Sequence, residues 1–334
     1  RYTVRVDVAD GQTLTDLLIT DTLPSNVQFV ALVSATPTST VVLTPTTATP
    51  GGSLVVQFPS VTGGPGAADA ALTFEFFVPR LDAGGGNVID PATADDAASV
   101  NAAQASGTWT PLDVRDTPAV ATATCPNCHS LADKALTLQK GVTNLSAPNT
   151  PGDVLEYTLD FQVSDYFAFG SVVITYTFSD GQRFDATFTP TLALNGNGYT
   201  FTVAPLAAAN FTVDVSEIAG DPDPATDGST TVVFRLTAEA VTRGQLARFV
   251  GGCIDPAAGS NPPDCSLNND GPTTGRLKFR TVIQQTFSDT YPSGDPSVDH
   301  GDILTNAATV GGDVLNPATF APTGSGEADG SGTS

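Results

Sequence analysis

Two thiols and an imidazole stand together in "CPNCH", residues 125–129. That spacing suits covalent haem, with Cys125 and Cys128 forming thioethers and His129 on the iron. The chain has no Met, so His300 is the second axial ligand it can offer. The same two thiols also fit a disulfide framework, because four cysteines make an even count. Three connectivities are open: Cys253 with Cys265 closes the loop "CIDPAAGSNPPDC", while Cys125 and Cys128 pair with each other or with that loop. In "DPDPATDG" (221–228), Asp221, Asp223 and Asp227 present hard oxygen ligands at a spacing that suits calcium. An EF-hand would continue to Glu at its twelfth position, but residue 232 is Val, so a solvated acidic turn is the alternative. Two histidines and no Ser/His/Asp arrangement leave nothing for nucleophilic catalysis, and no enzymatic activity is expected.

The elements that must carry these residues are strands. Tyr2, Val4, Val6 and Val8 alternate with polar neighbours, and Tyr157, Leu159, Phe161 and Val163 do the same. This is the period-two pattern of half-buried strands. Further strands are expected at 53–58, 71–78, 199–203, 211–215, 230–238 and 276–283, with only a weak helical signal at 237–250. Many short strands between Gly, Pro and Asx turns predict an all-β sandwich or barrel.

The chain repeats itself. "ITDTLPSNVQF" (19–29) returns as "ITYTFSDGQRF" (174–184), with Asp21 replaced by Tyr176. An offset of 155 carries Tyr2 onto Tyr157, Ile19 onto Ile174 and Phe29 onto Phe184. An offset of 205 then carries Phe74 onto Phe279 and Asn101-Ala102-Ala103 onto Asn306-Ala307-Ala308. The second copy therefore holds an insertion of 50 residues within 184–277. The expected organisation is a first β-sandwich at 1–118, a linker with CPNCH at 119–133, and a second β-sandwich at 134–334. "LADKALTLQKGVTN" supplies a strand ahead of Tyr157 that has no counterpart ahead of Tyr2. Module one is thus expected to lack its opening strand, either because the chain was processed or excised or because another chain donates one by β-augmentation.

Composition narrows the setting. Net charge is −22, with 13 basic residues against 35 acidic ones. Nucleic acid needs a basic face, so no nucleic-acid partner is expected, and anionic membranes are disfavoured on the same ground. No apolar run approaches a membrane span, so no membrane insertion is expected. The acids are almost all Asp, the acid of turns and loops rather than of helices.

"ITDTLP", followed by an aromatic and closed by "VNAA" or "TNAATV", resembles the isopeptide-forming fimbrial and adhesin repeats of large bacterial surface proteins. The resemblance covers nearly all of the chain outside the insertion. It implies tandem immunoglobulin-like β-sandwiches serving in an extracellular stalk, fibre or adhesin. In cross-linked members, a Lys of the first strand condenses with an Asn near the last, helped by a buried acid. Burial favours the neutral amine and a protonated carboxyl that can shuttle protons. Mapped here, module one offers Asp21 and Asn101, but residues 1–133 contain no Lys. Module two offers Lys140 and Asn306 with Tyr176 at the acid position, and Glu156 or Asp160 as conceivable substitutes. The bland readings are a turn-fixing Asp21, a strand-end Lys140 and a turn residue at Asn306.

The resulting expectation is a structural segment of a surface fibre, polymerising with copies of itself or adjoining repeats through stacking or strand complementation. The alternatives are a haem-c electron-carrying filament protein and a ligand-binding adhesin whose insertion is the binding surface. No cofactor is required by the first reading, and calcium would stiffen its loops.

Overall fold

A computed structural model describes the chain except residues 67, 114, 147–148, 197–198, 216–227, 254–272, 289–294 and 332–334. It separates into two compact units, one of residues 1–90 with 96–133, the other of residues 91–95 with 134–334.

The first unit runs β1 (Tyr2–Val6), β2 (Thr13–Leu23), β3 (Gln28–Thr36), β4 (Thr40–Leu43), β5 (Gly52–Thr62), β6 (Ala70–Phe77), β7 (Ala97–Thr110) and β8 (Ala119–Asp133). One sheet has the order β1-β6-β3 and the other β4-β5-β2-β7-β8. The second unit runs β9 (Leu136–Asn144), β10 (Val154–Val163), β11 (Ala168–Phe178), β12 (Gln182–Phe184), β13 (Thr191–Gly196), β14 (Tyr199–Pro205), β15 (Phe211–Val215) and β16 (Thr230–Arg235). Helix α1 (Leu236–Thr242) follows, then β17 (Arg248–Val250), β18 (Thr274–Ile283), β19 (Asn306–Leu315) and β20 (Pro322–Ser331). Its sheets have the orders β14-β13-β18-β10-β9, with β12 also on β18, and β15-β16-β11-β19-β20, with β17 also on β11. The chain is therefore all-β, two immunoglobulin-like sandwiches in tandem, and every strand pair formed is antiparallel.

The sequence repeat is also a repeat of register. Tyr2 pairs with Phe74 and Val4 with Leu72, as Tyr157 pairs with Phe279 and Leu159 with Leu277. Asp21 stands opposite Ala103, as Tyr176 stands opposite Ala308. Side chains alternate faces along a strand, so Leu17, Ile19, Asp21 and Leu23 all point inward, matched by Val172, Ile174, Tyr176 and Phe178. Asp21 is therefore a mid-strand core position, not a turn-fixing acid.

Three expectations change in detail. Residues 119–133 form strand β8, paired along its length with β7, rather than a linker. Between 184 and 277, β15 and β16 hold the places that β4 and β5 hold in the first unit, and β14, α1 and β17 are additional. The expected strand at 230–238 ends at Arg235, where α1 begins. Glu239 of α1 is buried, and it accepts from Asn210 Nδ2 at 2.7 Å and pairs with Arg243 at 2.7 Å. Those partners offset the cost of burying an acid there.

Candidate functional site

In the second unit Lys140 and Asn306 meet. Lys140 lies on β9 opposite Leu159 of β10, so its side chain shares the inward face of that core residue. Its Nζ donates to Asn306 Oδ1 at 2.5 Å and to the Asn306 backbone carbonyl at 2.9 Å. Asn306 opens β19 in the facing sheet, so the contact clasps the two sheets together. The Tyr176 hydroxyl donates to the same Oδ1 at 2.6 Å. Tyr176 is fully buried against Tyr157, at 5.0 Å between ring centroids, and edge-on to Phe279 at 4.8 Å. The Tyr157 hydroxyl donates onward to Gln182 Oε1 at 2.8 Å.

Electrostatics define what this clasp can do. Burial lowers the Lys140 amine from its ordinary value, which increases its neutral fraction. Burial, and then the neighbouring Tyr157, push the Tyr176 phenol well above the usual range. Tyr176 thus stays protonated and can polarise the Asn306 carbonyl as a donor, but it is a poor base. The two carboxylates considered as substitutes point the other way. Glu156 and Asp160 alternate with the inward Tyr157 and Leu159, and they bind Lys278 at 2.8 Å, Arg280 at 2.9 Å and Arg276 at 2.6 Å. Neither reaches the clasp, because period-two alternation commits both to the opposite face.

The first unit holds the complementary half. Asn101 Nδ2 donates to Asp21 Oδ2 at 2.7 Å, and both residues are buried. Burial pushes the Asp21 carboxyl up to about 6, although the Asn101 hydrogen bond pulls against it. The other carboxylate oxygen, Oδ1, is buried with no hydrogen-bond partner, as is the Tyr2 hydroxyl. Tyr2 is itself raised by burial and by the Asp21 charge. An orphaned buried oxygen costs about 1–3 kcal/mol, so this site is incomplete as it stands. Alternation places Tyr2 and Tyr157 in the core without marking them as site residues; their shared repeat position is the signal that does.

The CPNCH residues lie on the exposed β8, where Cys125 and Cys128 are joined as a disulfide. Between the pairs Asn101–His129 and Ala103–Cys125 the register shifts, so the disulfide pinches a bulge in β8. The His129 ring packs on Tyr2 at 5.5 Å. In this structure the two sulfurs are bonded to each other on an exposed strand, the arrangement expected of the disulfide alternative. His300 lies in the other unit, exposed in a turn. Cys253 is buried and is not a free thiol. Its expected partner Cys265, and the calcium candidates Asp221, Asp223 and Asp227, lie outside the described residues. Among the described residues, no group of three or more His, Cys, Asp or Glu side chains is arranged to hold a metal, and no helix is long and apolar enough to cross a membrane.

No protein-family model and no curated relative matches the chain. Solved structures do. Domains D2 and D3 of the major pilin SpaD from Corynebacterium diphtheriae match 58% of this chain and 50% of that one, at 16% identity and a TM-score of 0.28. The full-length RrgB pilus protein of Streptococcus pneumoniae matches 91% of this chain at 11% identity and a TM-score of 0.28. The collagen adhesin CNA of S. aureus matches 98% of this chain and 89% of that one, at 11% identity and a TM-score of 0.24. The chain spans half the length of the SpaD fragment and 42% of RrgB.

Proposed function

We propose that this chain is a structural segment of an extracellular bacterial surface fibre or stalk, with no enzymatic role, and that its second unit is strapped against stretching by Lys140 and Asn306. The observation that carries this reading is the clasp itself. It joins β9, where the chain enters the unit's strands, to β19, near where it leaves them, across the two sheets. A pull along the chain acts on these outer strands, so a tie between them resists separation of the sheets. The extreme Asp-rich charge, the Cys125–Cys128 disulfide and the internal repeat suit a secreted modular protein.

The tie is a hydrogen-bonded one. Forming an amide would require the amine to lose a proton and departing ammonia to gain one. Among the described residues no carboxylate hydrogen-bonds to Lys140 or Asn306 to carry it, and the raised Tyr176 phenol is a weak substitute. The test is single-molecule stretching of the whole chain with intact-mass analysis. The expected mass is that of the unmodified sequence, and Lys140→Met is expected to lower the second unit's unfolding force. A mass short by one ammonia would overturn the non-covalent assignment. An unchanged unfolding force in Lys140→Met would overturn the strap.

A further inference from the structure

Four of the chain's 13 basic residues share one face of the second unit, although acids outnumber them at 35. Along β18, Arg276, Lys278 and Arg280 alternate with the buried Leu277, Phe279 and Thr281, so all three side chains point out of the sandwich. Arg183 of β12 stands opposite Val282, the next outward position of the same strand. Two acids lie on this face, Glu156 opposite Arg280 and Asp160 opposite Arg276. Glu156 binds both Lys278 and Arg280, and Asp160 binds Arg276. The neighbouring outward positions on β9 and β13 are Gln139, Thr143, Thr191 and Ala193, none of them charged. Arg183 is exposed and, among the described residues, has no hydrogen bond or ion pair. The face therefore keeps an excess of positive charge.

That excess is set against a chain of net charge −22. Two such chains repel one another over most of their surfaces, which keeps them apart unless a surface of the other sign intervenes. Charge complementarity then does two things: it steers the approach, and like-charge contacts elsewhere reject other registers. The outward face of β18 is the surface that a polyanionic copy can meet without repulsion. Two copies meeting through this same face would set excess positive charge on excess positive charge, so the contact must join unlike surfaces.

We propose that the face carrying Arg183, Arg276, Lys278 and Arg280 docks a second copy of this chain, through acids that lie outside that copy's own cationic face. Each docked copy still offers its own face to a further one, so association runs on instead of closing at a pair. This rests on the fibre reading, in which copies of the chain are neighbours, and it names the surface through which they associate.

The experiment is sedimentation equilibrium of the whole chain at about 0.15 M salt, where exposed charges more than about 8 Å apart are largely screened. The average mass is expected to rise continuously with concentration, past that of a dimer. Arg183→Gln removes a side chain that has no partner in the fold, and it is expected to weaken association about fivefold, the effect of one exposed charge pair. Thr212→Asp makes the same change in net charge at an exposed position of β15, in the other sheet, and is expected to leave association within about twofold. A chain that stays monomeric at millimolar concentration, a mass that levels off at the dimer, or equal effects of Arg183→Gln and Thr212→Asp would each overturn the proposal. So would a monomeric chain that dextran sulfate retains through Arg183, since the face would then take an anionic polysaccharide. None of these outcomes bears on the mass or the unfolding force that tests Lys140, so the two readings fail separately.

Discussion

The two units put the same asparagine at the same place and surround it differently. Around Asn306 stand a lysine and a tyrosine, both donors, converging on one carbonyl oxygen at 2.5 and 2.6 Å. Around Asn101 stands an acid, which accepts from the amide nitrogen at 2.7 Å and leaves its second oxygen without a partner. The asparagine amide reads its surroundings through opposite ends, oxygen towards donors and nitrogen towards an acceptor. The asparagine site of the second unit is thereby satisfied, while that of the first keeps a buried carboxylate oxygen without a hydrogen-bond partner. The hydrophobic surroundings follow the same division. Among the described residues, Phe279 lies against the rings of Tyr157, Tyr176, Phe184 and Phe234, whereas Phe74 lies against those of Tyr2, Phe29 and Phe76.

The bluntest way to break the comparison is through those rings. Phe279→Ala should cost the second unit about 4 kcal/mol, and Phe74→Ala should cost the first about 3 kcal/mol. Denaturant unfolding, with the single Trp109 reporting on the first unit and hydrogen exchange of β10 and β18 on the second, separates the two. Equal losses would mean that the denser ring cluster adds nothing.

Next in size is the buried acid. The folded Asp21 carboxyl holds its proton up to about pH 6, while an unfolded one releases it near 3.8. Between those values the folded state binds more protons, so the first unit loses stability as pH rises through the window and levels off above it. Asp133, also raised by burial, acts in the same direction. Asp21→Asn should stabilise the first unit by about 3 kcal/mol at pH 7.5 and remove most of this dependence. Trp109 fluorescence in denaturant across pH 4–8 tests it. A less stable Asp21→Asn at pH 7.5 would contradict the picture of a charge buried without its partner.

Smaller effects sharpen the other side. Lys140→Met should lower the second unit's equilibrium stability by about 2 kcal/mol, the usual size for a hydrogen bond from a charged donor. Tyr176→Phe should lower it by about 1 kcal/mol, since the ring packing stays and only a neutral hydrogen bond is lost. Both are read by hydrogen exchange at β9 and β19. If Tyr176→Phe cost more than Lys140→Met, the phenol rather than the amine would be the principal tie on Asn306.

Much of this was legible in the chain. The offsets of 155 and 205 reappear as the strand registers Tyr2–Phe74 and Tyr157–Phe279. The inward aim of Asp21 was available too, since it alternates with Leu17, Ile19 and Leu23. The outward aim of Glu156 and Asp160 follows from the same rule, so neither needed a structure to be set aside. Strand β8 was harder to read. It is exposed along most of its length, built of Ala, Thr, Pro and Cys, and is a strand through its backbone pairing with β7 rather than through any buried face. Alternation detects burial, and a strand that buries nothing leaves no period. Helix α1 was faint for a related reason, being seven residues long with a core face that serves one strand's end.

The sequence by itself determined that there are two copies of one sandwich, which residues face inward, and that lysine is missing from the first copy. Those properties are local or periodic, and periodicity survives without coordinates. Only the tertiary structure decided that Lys140 touches Asn306 across the sheets and that Asp21 keeps one oxygen unpaired. Each depends on residues up to 166 positions apart being brought within a hydrogen bond, and on which strand lies beside which. Pairing partners are chosen by the packing of whole sheets, which no single stretch of sequence encodes.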